Sequence, residues 1–181
     1  EATIQRNLDR LVAKERISAD DKTATLSRLK TSTEMHGAVA DADLVVEAAT
    51  ERLDLKLKIF EQIDASAPAS AILATNTSSI SITRIAAATG RPDQVIGMHF
   101  MNPVPIMKLV EVIRGYDTSD ETTAFVVALS QQLGKVPVEV NDYPGFVANR
   151  ILMPMINEAI CSLHEGVAGV AEIDEVMKLG M

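Results

Sequence analysis

Short apolar runs that alternate with helical stretches constrain the fold of this chain more than any other feature of its sequence. A short apolar run with polar residues at both ends is typical of a strand buried on both faces of a parallel sheet. Strands that alternate with helices predict βαβ units, and therefore an α/β fold with a mostly parallel sheet. The predicted strands are residues 43–48, 71–75, 95–100, 108–113 and 136–140. The predicted helices are one that ends near residue 14 and others at 18–29, 53–63, 82–88 and 119–133.

The pattern changes directly after the last predicted strand. The sequence Asp-Tyr-Pro-Gly at 142–145 is typical of a turn, and helical patterns follow it at 146–163 and 172–179. We therefore expect one domain over residues 1–142 and the beginning of an all-helical domain over 143–181. Two helices have little to bury against on their own, so we expect this second segment to pack on a partner chain or on further sequence.

Composition argues against several classes of function. A net charge of −8 is unfavourable for nucleic-acid binding, which depends on Lys and Arg at the phosphates. No apolar run approaches the ~20 residues that a membrane span requires. The charged opening residues contain no secretory signal, and the single cysteine, Cys161, fits a reducing compartment, so we expect a cytoplasmic protein. His36 and His164 lack acidic or cysteine partners at ligand spacing, and we therefore expect no metal site.

One histidine and one glutamate stand in neighbouring apolar runs of β type. His99 lies near the end of the run at 95–100, and Glu111 lies in the run at 108–113. Imidazole gains and loses a proton near neutral pH, and a carboxylate that contacts it fixes its tautomer and stabilises its charged form. If the two side chains meet, they form a general base for an alcohol. Taken alone, such residues are more often solvated groups at a strand end.

Polar side chains follow two of the predicted elements. Ser78 and Asn76 come after the strand at 71–75, at the carboxyl end where open α/β sheets bind ligands. Asn149 lies one turn into the helix after Pro144 and Gly145. Hydroxyl and amide groups at such places donate to substrate oxygens. Each residue also has a local alternative, because Ser caps helices and Asn orders turns.

Five blocks of sequence resemble one family, in the same order along the chain. They are Asp-Leu-Val-Val-Glu-Ala at 43–48, Asn-Thr-Ser-Ser at 76–79, the stretch 99–113, Pro-Gly-Phe-Val-Ala-Asn-Arg at 144–150 and Met-Lys-Leu-Gly at 177–180. They resemble the 3-hydroxyacyl-CoA dehydrogenases, and most of all the short-chain bacterial type that acts on 3-hydroxybutyryl-CoA. The resemblance covers essentially all 181 residues.

The resemblance implies a doubly wound, Rossmann-like sheet that binds NAD, followed by a helical domain that forms a homodimer. The chain departs from this pattern at its beginning. The family's first βαβ unit carries G-x-G-x-x-G and, further on, an acid for the adenosine ribose, whereas Gly37 is the first glycine here. We therefore expect the sheet to lack its first βαβ unit and the chain to be an internal piece of a dehydrogenase, inactive by itself.

The reaction that the resemblance implies moves a hydride from C3 of a short-chain 3-hydroxyacyl-CoA to C4 of NAD+, as in fatty-acid β-oxidation. His99 is then the base, and the acid in the reverse reaction, while Glu111 holds its second ring nitrogen. Ser78 and Asn149 would contact the substrate and join the catalytic group.

The family's other contacts are carried over residue by residue. Lys14 resembles a lysine that meets the coenzyme A phosphates, although a surface lysine is the simpler interpretation. Charged residues at a helix start, such as Glu51 and Lys56, commonly face solvent. Met101 stands where the family usually has an aromatic residue. The implied contacts to NAD are Glu51, Lys56, Asn76, Ser78 and Asn102.

Two alternatives to this function remain open at the level of sequence. The same fold serves as a non-catalytic structural protein in lens crystallins, although the combination of Ser78, His99, Glu111 and Asn149 weighs against that role. A related sugar acid dehydrogenase would use the same chemistry on another substrate, and a direct comparison of the two substrates would separate them.

The sequence predicts that this 181-residue chain binds NADH weakly or not at all, because the loop that cradles the phosphates is absent from it. Isothermal calorimetry with NADH measures this directly. A micromolar dissociation constant would show that the remaining loops suffice for binding.

Overall fold

The structure, a computed structural model, describes residues 2–181 and contains one five-stranded sheet. The strands lie side by side in chain order, and only the third and fourth run antiparallel to each other. The predicted α/β fold with a mostly parallel sheet is confirmed. The strands are β1 (Leu44–Glu47), β2 (Ile72–Thr75), β3 (Val95–Phe100), β4 (Leu109–Arg114) and β5 (Val136–Asn141).

The helices follow the sequence pattern closely, with one addition. They are α1 (Ala2–Ala13), α2 (Ala19–Ser27), α3 (Met35–Val39), α4 (Leu53–Ser66), α5 (Ile82–Ala86), α6 (Asp120–Gln132), α7 (Ala148–His164) and α8 (Val170–Gly180). The predicted start of α2 is confirmed, because Ser18 and Asp21 form a capping box there. The sequence did not predict α3, which is too short to show helical periodicity.

Helices cover both faces of the sheet, and alternate strand residues point to each side. On one face, Leu73 and Val95 pack with Phe60 of α4 and Ile85 of α5. The opposite face forms a second cluster with Val126 of α6. Burial on both faces explains why the strands read as continuous apolar runs. The residues of this second cluster are Ala74, Ile96, Met98, Val110, Val112 and Val126.

The antiparallel pairing of β3 with β4 sets the register of the two strands. His99 lies directly opposite Glu111, and Gly97 lies opposite Ile113. A Cβ atom on Gly97 would lie 2.8 Å from the Ile113 Cβ, so only glycine fits there without displacement. Residues that face each other across an antiparallel pair project to the same side of the sheet. The register therefore brings the two side chains together.

The helical segment after β5 differs from the rest in its burial. Every residue of α7 and α8 is at least partly exposed, although both helices carry many large apolar side chains, among them Ile151, Met153, Ile160 and Val176. The two helices contact each other.

Across residues 2–181, no helix has both the length and the apolar character that crossing a membrane requires.

Candidate active site

The carboxyl ends of β1, β2 and β3 and the beginning of β4 lie along one edge of the sheet. Ligands of open α/β sheets bind outside such an edge. Four of the nine predicted site residues lie in the loops at this edge, at positions 51, 76, 78 and 102.

His99 and Glu111 are in direct contact at this edge. The Nδ1 atom of His99 lies 2.9 Å from Oε2 of Glu111. Both side chains are nearly buried, with exposed fractions of 6% for His99 and 2% for Glu111. The ring of Phe146 packs against the imidazole with 5.9 Å between ring centroids. The imidazole is thus held on one side by a carboxylate and on another by an aromatic ring.

The second oxygen of Glu111 binds the beginning of α7. The backbone N–H groups of Val147 and Ala148 donate to Oε1 at 3.1 and 3.0 Å. These N–H groups lie at the start of α7 and have no acceptor within the helix, so the carboxylate oxygen satisfies them. An ionised carboxylate only accepts, so Nδ1 of His99 donates to it, and Nε2 is left with a lone pair. These two donors could not be predicted from the sequence, because every residue except proline has a backbone N–H group.

The turn before α7 brings these donors into place through two residues of positive φ. Gly145 has φ 78°, and a Cβ atom there would lie 3.0 Å from the backbone nitrogen of Arg150. Phe146 follows with φ 49°, a left-handed conformation that costs energy for an aromatic residue. Both conformations are needed to direct the Phe146 ring against His99 and the next N–H groups toward Glu111.

Ser78 connects the histidine with the helical segment. Its hydroxyl lies 3.1 Å from Nε2 of His99, and it donates there because that nitrogen carries the lone pair. Its backbone carbonyl accepts a hydrogen bond of 3.2 Å from Nδ2 of Asn149. Ser78, His99, Glu111 and Asn149 therefore form one continuous group that spans the sheet edge and α7.

Asn76 and Asn102 lie beside this group in different ways. The side-chain oxygen of Asn76 accepts a 2.8 Å hydrogen bond from the backbone N–H of Phe100, so Asn76 ties the loop after β2 to the end of β3. Asn102 is exposed in the loop after β3. Asn76 thus orders the turn, as its local alternative suggested, whereas Asn102 faces solvent.

Glu51 already has partners for both of its oxygens. Thr77 donates its hydroxyl to Oε2 at 2.8 Å, and the backbone N–H of Ser78 donates to Oε1 at 2.9 Å. Glu51 lies in the loop after β1, so these bonds join two neighbouring loops of the sheet edge.

Lys56 lies near the start of α4 but is buried, whereas a charged residue at a helix start commonly faces solvent. Its side chain is 1% exposed, and its ammonium group pairs with Glu47 and donates to the Thr75 hydroxyl at 3.2 Å. Protein groups thus enclose the ammonium, and the cofactor contact that the resemblance implies for Lys56 stays a prediction. Burial by itself would raise the pKa of Glu47, but hydrogen bonds from Lys56, the Ala49 N–H and Thr75 outweigh burial and lower that pKa.

Lys14 stands apart from these residues. It is exposed just beyond α1, a helix that packs against α2. Within residues 2–181, no three His, Cys, Asp or Glu side chains are grouped so that they could share a metal ion.

A mostly parallel sheet with helices on both faces and a polar site at its carboxyl edge is a Rossmann-like dinucleotide-binding domain. Residues 1–143 match the family model of the 3-hydroxyacyl-CoA dehydrogenase NAD binding domain, and residues 145–181 match that of the C-terminal domain. The chain therefore belongs to the 3-hydroxyacyl-CoA dehydrogenase family, as the sequence blocks predicted. NAD is the cofactor of the domain that the first match names.

Known proteins similar to the chain support this membership. It is 61% identical over 140 residues to a probable 3-hydroxybutyryl-CoA dehydrogenase of Bacillus subtilis, covering 77% of the chain and 49% of that protein. Identity to a Deinococcus radiodurans protein of the same description is 52%, over 98% of the chain and 63% of the relative. The crystal structure of (S)-3-hydroxybutyryl-CoA dehydrogenase from Ralstonia eutropha superimposes with a TM-score of 0.95 at 58% identity, over 99% of this chain and 63% of that one. The chain thus spans between 49% and 63% of these relatives.

Replacing Lys56 by Met should destabilise the protein strongly, because Glu47 would keep a buried charge without its partner. Loss of one member of a buried ion pair costs about 3–5 kcal/mol, which urea unfolding at about pH 7 would measure. The pKa of Glu47 is lowered in the folded protein, so the ion pair stabilises the folded state at any pH above the ordinary pKa of a glutamate. This stabilisation is lost as the pH falls through the lowered pKa of Glu47. The difference in unfolding free energy between the unmodified protein and Lys56→Met should therefore become smaller as the pH is lowered.

Lys58→Met is the matched control, since Lys58 is exposed on the same helix. Equal unfolding free energies for the two variants at neutral pH would contradict the importance of the buried pair.

Proposed function

We propose that the full-length protein interconverts a short-chain 3-hydroxyacyl-CoA and the corresponding 3-ketoacyl-CoA with NAD(H). The observation that carries this proposal is the contact of His99 with both Glu111 and Ser78, at 2.9 and 3.1 Å. The names of the similar proteins, which are 3-hydroxybutyryl-CoA dehydrogenases, support the substrate class.

His99 acts as the general base through Nε2. A substrate hydroxyl that binds beside Ser78 and His99 donates to the lone pair of Nε2, and the Ser78 O–H turns from Nε2 to donate to the substrate oxygen. Transfer of this proton leaves more electron density on the C3 oxygen, which assists departure of hydride from C3. Bound NAD+ supplies the hydride acceptor. In the reverse direction the imidazolium returns the proton to the C3 oxygen.

Glu111 stabilises the imidazolium that forms during the reaction. Its carboxylate already accepts from Nδ1, so a positive imidazole gains a charge-assisted hydrogen bond without any movement. The two backbone donors from α7 hold the carboxylate in place and satisfy its other oxygen. Glu111 thus fixes the tautomer of His99 before the reaction and stabilises the positive charge of its imidazole during the reaction.

Asn149 completes the site from the helical segment. Its bond to the Ser78 carbonyl uses one of two N–H groups of the amide. The other N–H is available to the thioester carbonyl or to the C3 oxygen, where charge changes during the reaction. Docking of the helical segment on the sheet edge therefore assembles the substrate site.

The nicotinamide half of NAD fits the loops after β2 and β3. Ser78 and the exposed Asn102 present polar groups at this edge, and Asn76 holds the two loops together. Glu51 and Lys56, which the sequence also assigned to the cofactor, are engaged with protein partners.

In this assignment the two segments of the chain have different roles. Residues 1–142 form the NAD-binding part, and residues 143–181 begin the helical substrate and dimerisation domain. The exposed apolar side chains of α7 and α8 support a homodimer. Lys14 would meet the coenzyme A phosphates, and the single cysteine supports a cytoplasmic enzyme of fatty-acid β-oxidation.

Replacing His99 by Gln should lower kcat for 3-hydroxybutyryl-CoA oxidation by about 10²- to 10⁴-fold, since the general base is lost. The dissociation constant for NADH should stay nearly the same, because the imidazole acts on the substrate oxygen. Steady-state kinetics and NADH fluorescence on the full-length protein measure the two quantities.

His36→Gln is the control, since His36 is exposed on α3 and should leave both quantities unchanged. Near-normal turnover by His99→Gln would refute the role of the histidine. Failure of the unmodified protein to oxidise 3-hydroxybutyryl-CoA would favour the structural homologue or the sugar acid dehydrogenase.

A further inference from the structure

The loop that carries Ser78 lies between β2 and α5 and has no regular secondary structure. The side chain of Ser78 can rotate, yet its hydroxyl lies within hydrogen-bond distance of Nε2 of His99. Other contacts must therefore hold this residue in place.

Thr77 is the centre of those contacts. It is fully buried, with an exposed fraction of 0%, and its hydroxyl donates to Glu51. The same hydroxyl accepts the backbone N–H groups of Ile80 at 3.0 Å and of Ser79 at 3.4 Å. One threonine oxygen thus closes the turn on one side and joins it to the neighbouring loop on the other.

Glu51 fixes the backbone of Ser78 itself. Its Oε1 accepts the Ser78 N–H while its Oε2 accepts the Thr77 hydroxyl. The Ser78 carbonyl is held separately by Asn149. With the N–H and the carbonyl both bound, the peptide planes beside Ser78 are fixed, and its Cα–Cβ bond holds the hydroxyl within reach of His99.

We propose that Glu51 and Thr77 form a clamp that positions Ser78 against His99, so that both are positioning residues for the reaction. This inference rests on the proposed function and gives Glu51 a role in the loop in addition to the cofactor contact that the resemblance implies. Thr77 cannot touch a ligand, because it is buried. Any effect of its hydroxyl on turnover must pass through the loop.

The clamp continues into the buried ion pair. The backbone N–H of Thr77 donates to the Thr75 hydroxyl at 3.3 Å, and Thr75 donates to Glu47 at 2.9 Å. Lys56 neutralises that carboxylate. Through Thr75, the buried Lys56–Glu47 pair therefore stabilises the same loop.

The test compares Thr77→Val, Thr77→Ser and Glu51→Ala in the full-length protein. Thr77→Val keeps the shape but removes the hydroxyl, and we expect kcat for 3-hydroxybutyryl-CoA oxidation to fall about tenfold. The dissociation constant for NADH should change less than kcat does, because Thr77 is buried and touches no cofactor itself. Thr77→Ser restores the hydroxyl and should restore kcat. Glu61→Gln, an exposed acid on α4, is the matched control and should leave kcat unchanged.

A double-mutant cycle with Ser78→Ala shows whether the clamp acts through the serine. In the Ser78→Ala background, Thr77→Val and Glu51→Ala should lower kcat little further. If each substitution lowered kcat by the same factor with and without Ser78→Ala, the proposal would be overturned. If Glu51→Ala weakened the affinity for NADH and left kcat unchanged, Glu51 would act on the cofactor alone, and the proposal would likewise be overturned.

A structural readout keeps this test separate from the proposed reaction. In a crystal structure of Thr77→Val, the Ser78 hydroxyl should lie beyond hydrogen-bond distance from Nε2 of His99, whichever substrate the protein uses. An unchanged distance would overturn the clamp. If Thr77→Val does not fold, Glu51→Ala provides the same measurement, because Glu51 is exposed and its loss leaves the core intact.

Discussion

The carboxylate of Glu111 is the interaction on which the site depends, because its two oxygens bind two different parts of the molecule. One oxygen accepts from the imidazole of His99 on β3, and the other accepts from the backbone at the beginning of α7. The first contact follows from the register of β3 with β4, and the second from the left-handed turn at Gly145 and Phe146. A single buried charge therefore fixes the histidine tautomer and anchors the helical segment to the sheet edge.

Hydrogen bonds continue from this carboxylate across the whole carboxyl edge of the sheet. They run from His99 through Ser78 to Glu51 and Thr77, and from there to the buried pair under the loop after β1. Buried charges are costly unless they are paired and hydrogen-bonded. Each buried carboxylate in this series has a cation or a set of N–H donors as its partner. The polar site is consequently a preorganised part of the fold, and its reacting groups need little adjustment when a substrate arrives.

Most of the fold could be predicted because burial on both faces leaves a clear mark on a strand sequence. The strands at the sheet centre read as continuous apolar runs, and α2 begins at the capping residue Ser18. The contact of His99 with Glu111 could be anticipated from neighbouring runs and from the family resemblance. The donors from Val147 and Ala148 could not, because they belong to the backbone. The burial of Lys56 was missed because a charged residue in the first turn of a helix normally faces solvent, and its partner Glu47 lies on another element.

The tautomer of His99 in the protein without ligands tests the central role of Glu111 most directly. Nitrogen-15 NMR distinguishes a protonated ring nitrogen from an unprotonated one, and His99→Gln identifies its signals. Because the Glu111 carboxylate accepts from Nδ1, this nitrogen should carry the proton of the neutral ring and Nε2 the lone pair. A neutral imidazole protonated at Nε2 instead would mean that Glu111 does not hold the ring as described, and the assignment of Nε2 as the base would be wrong.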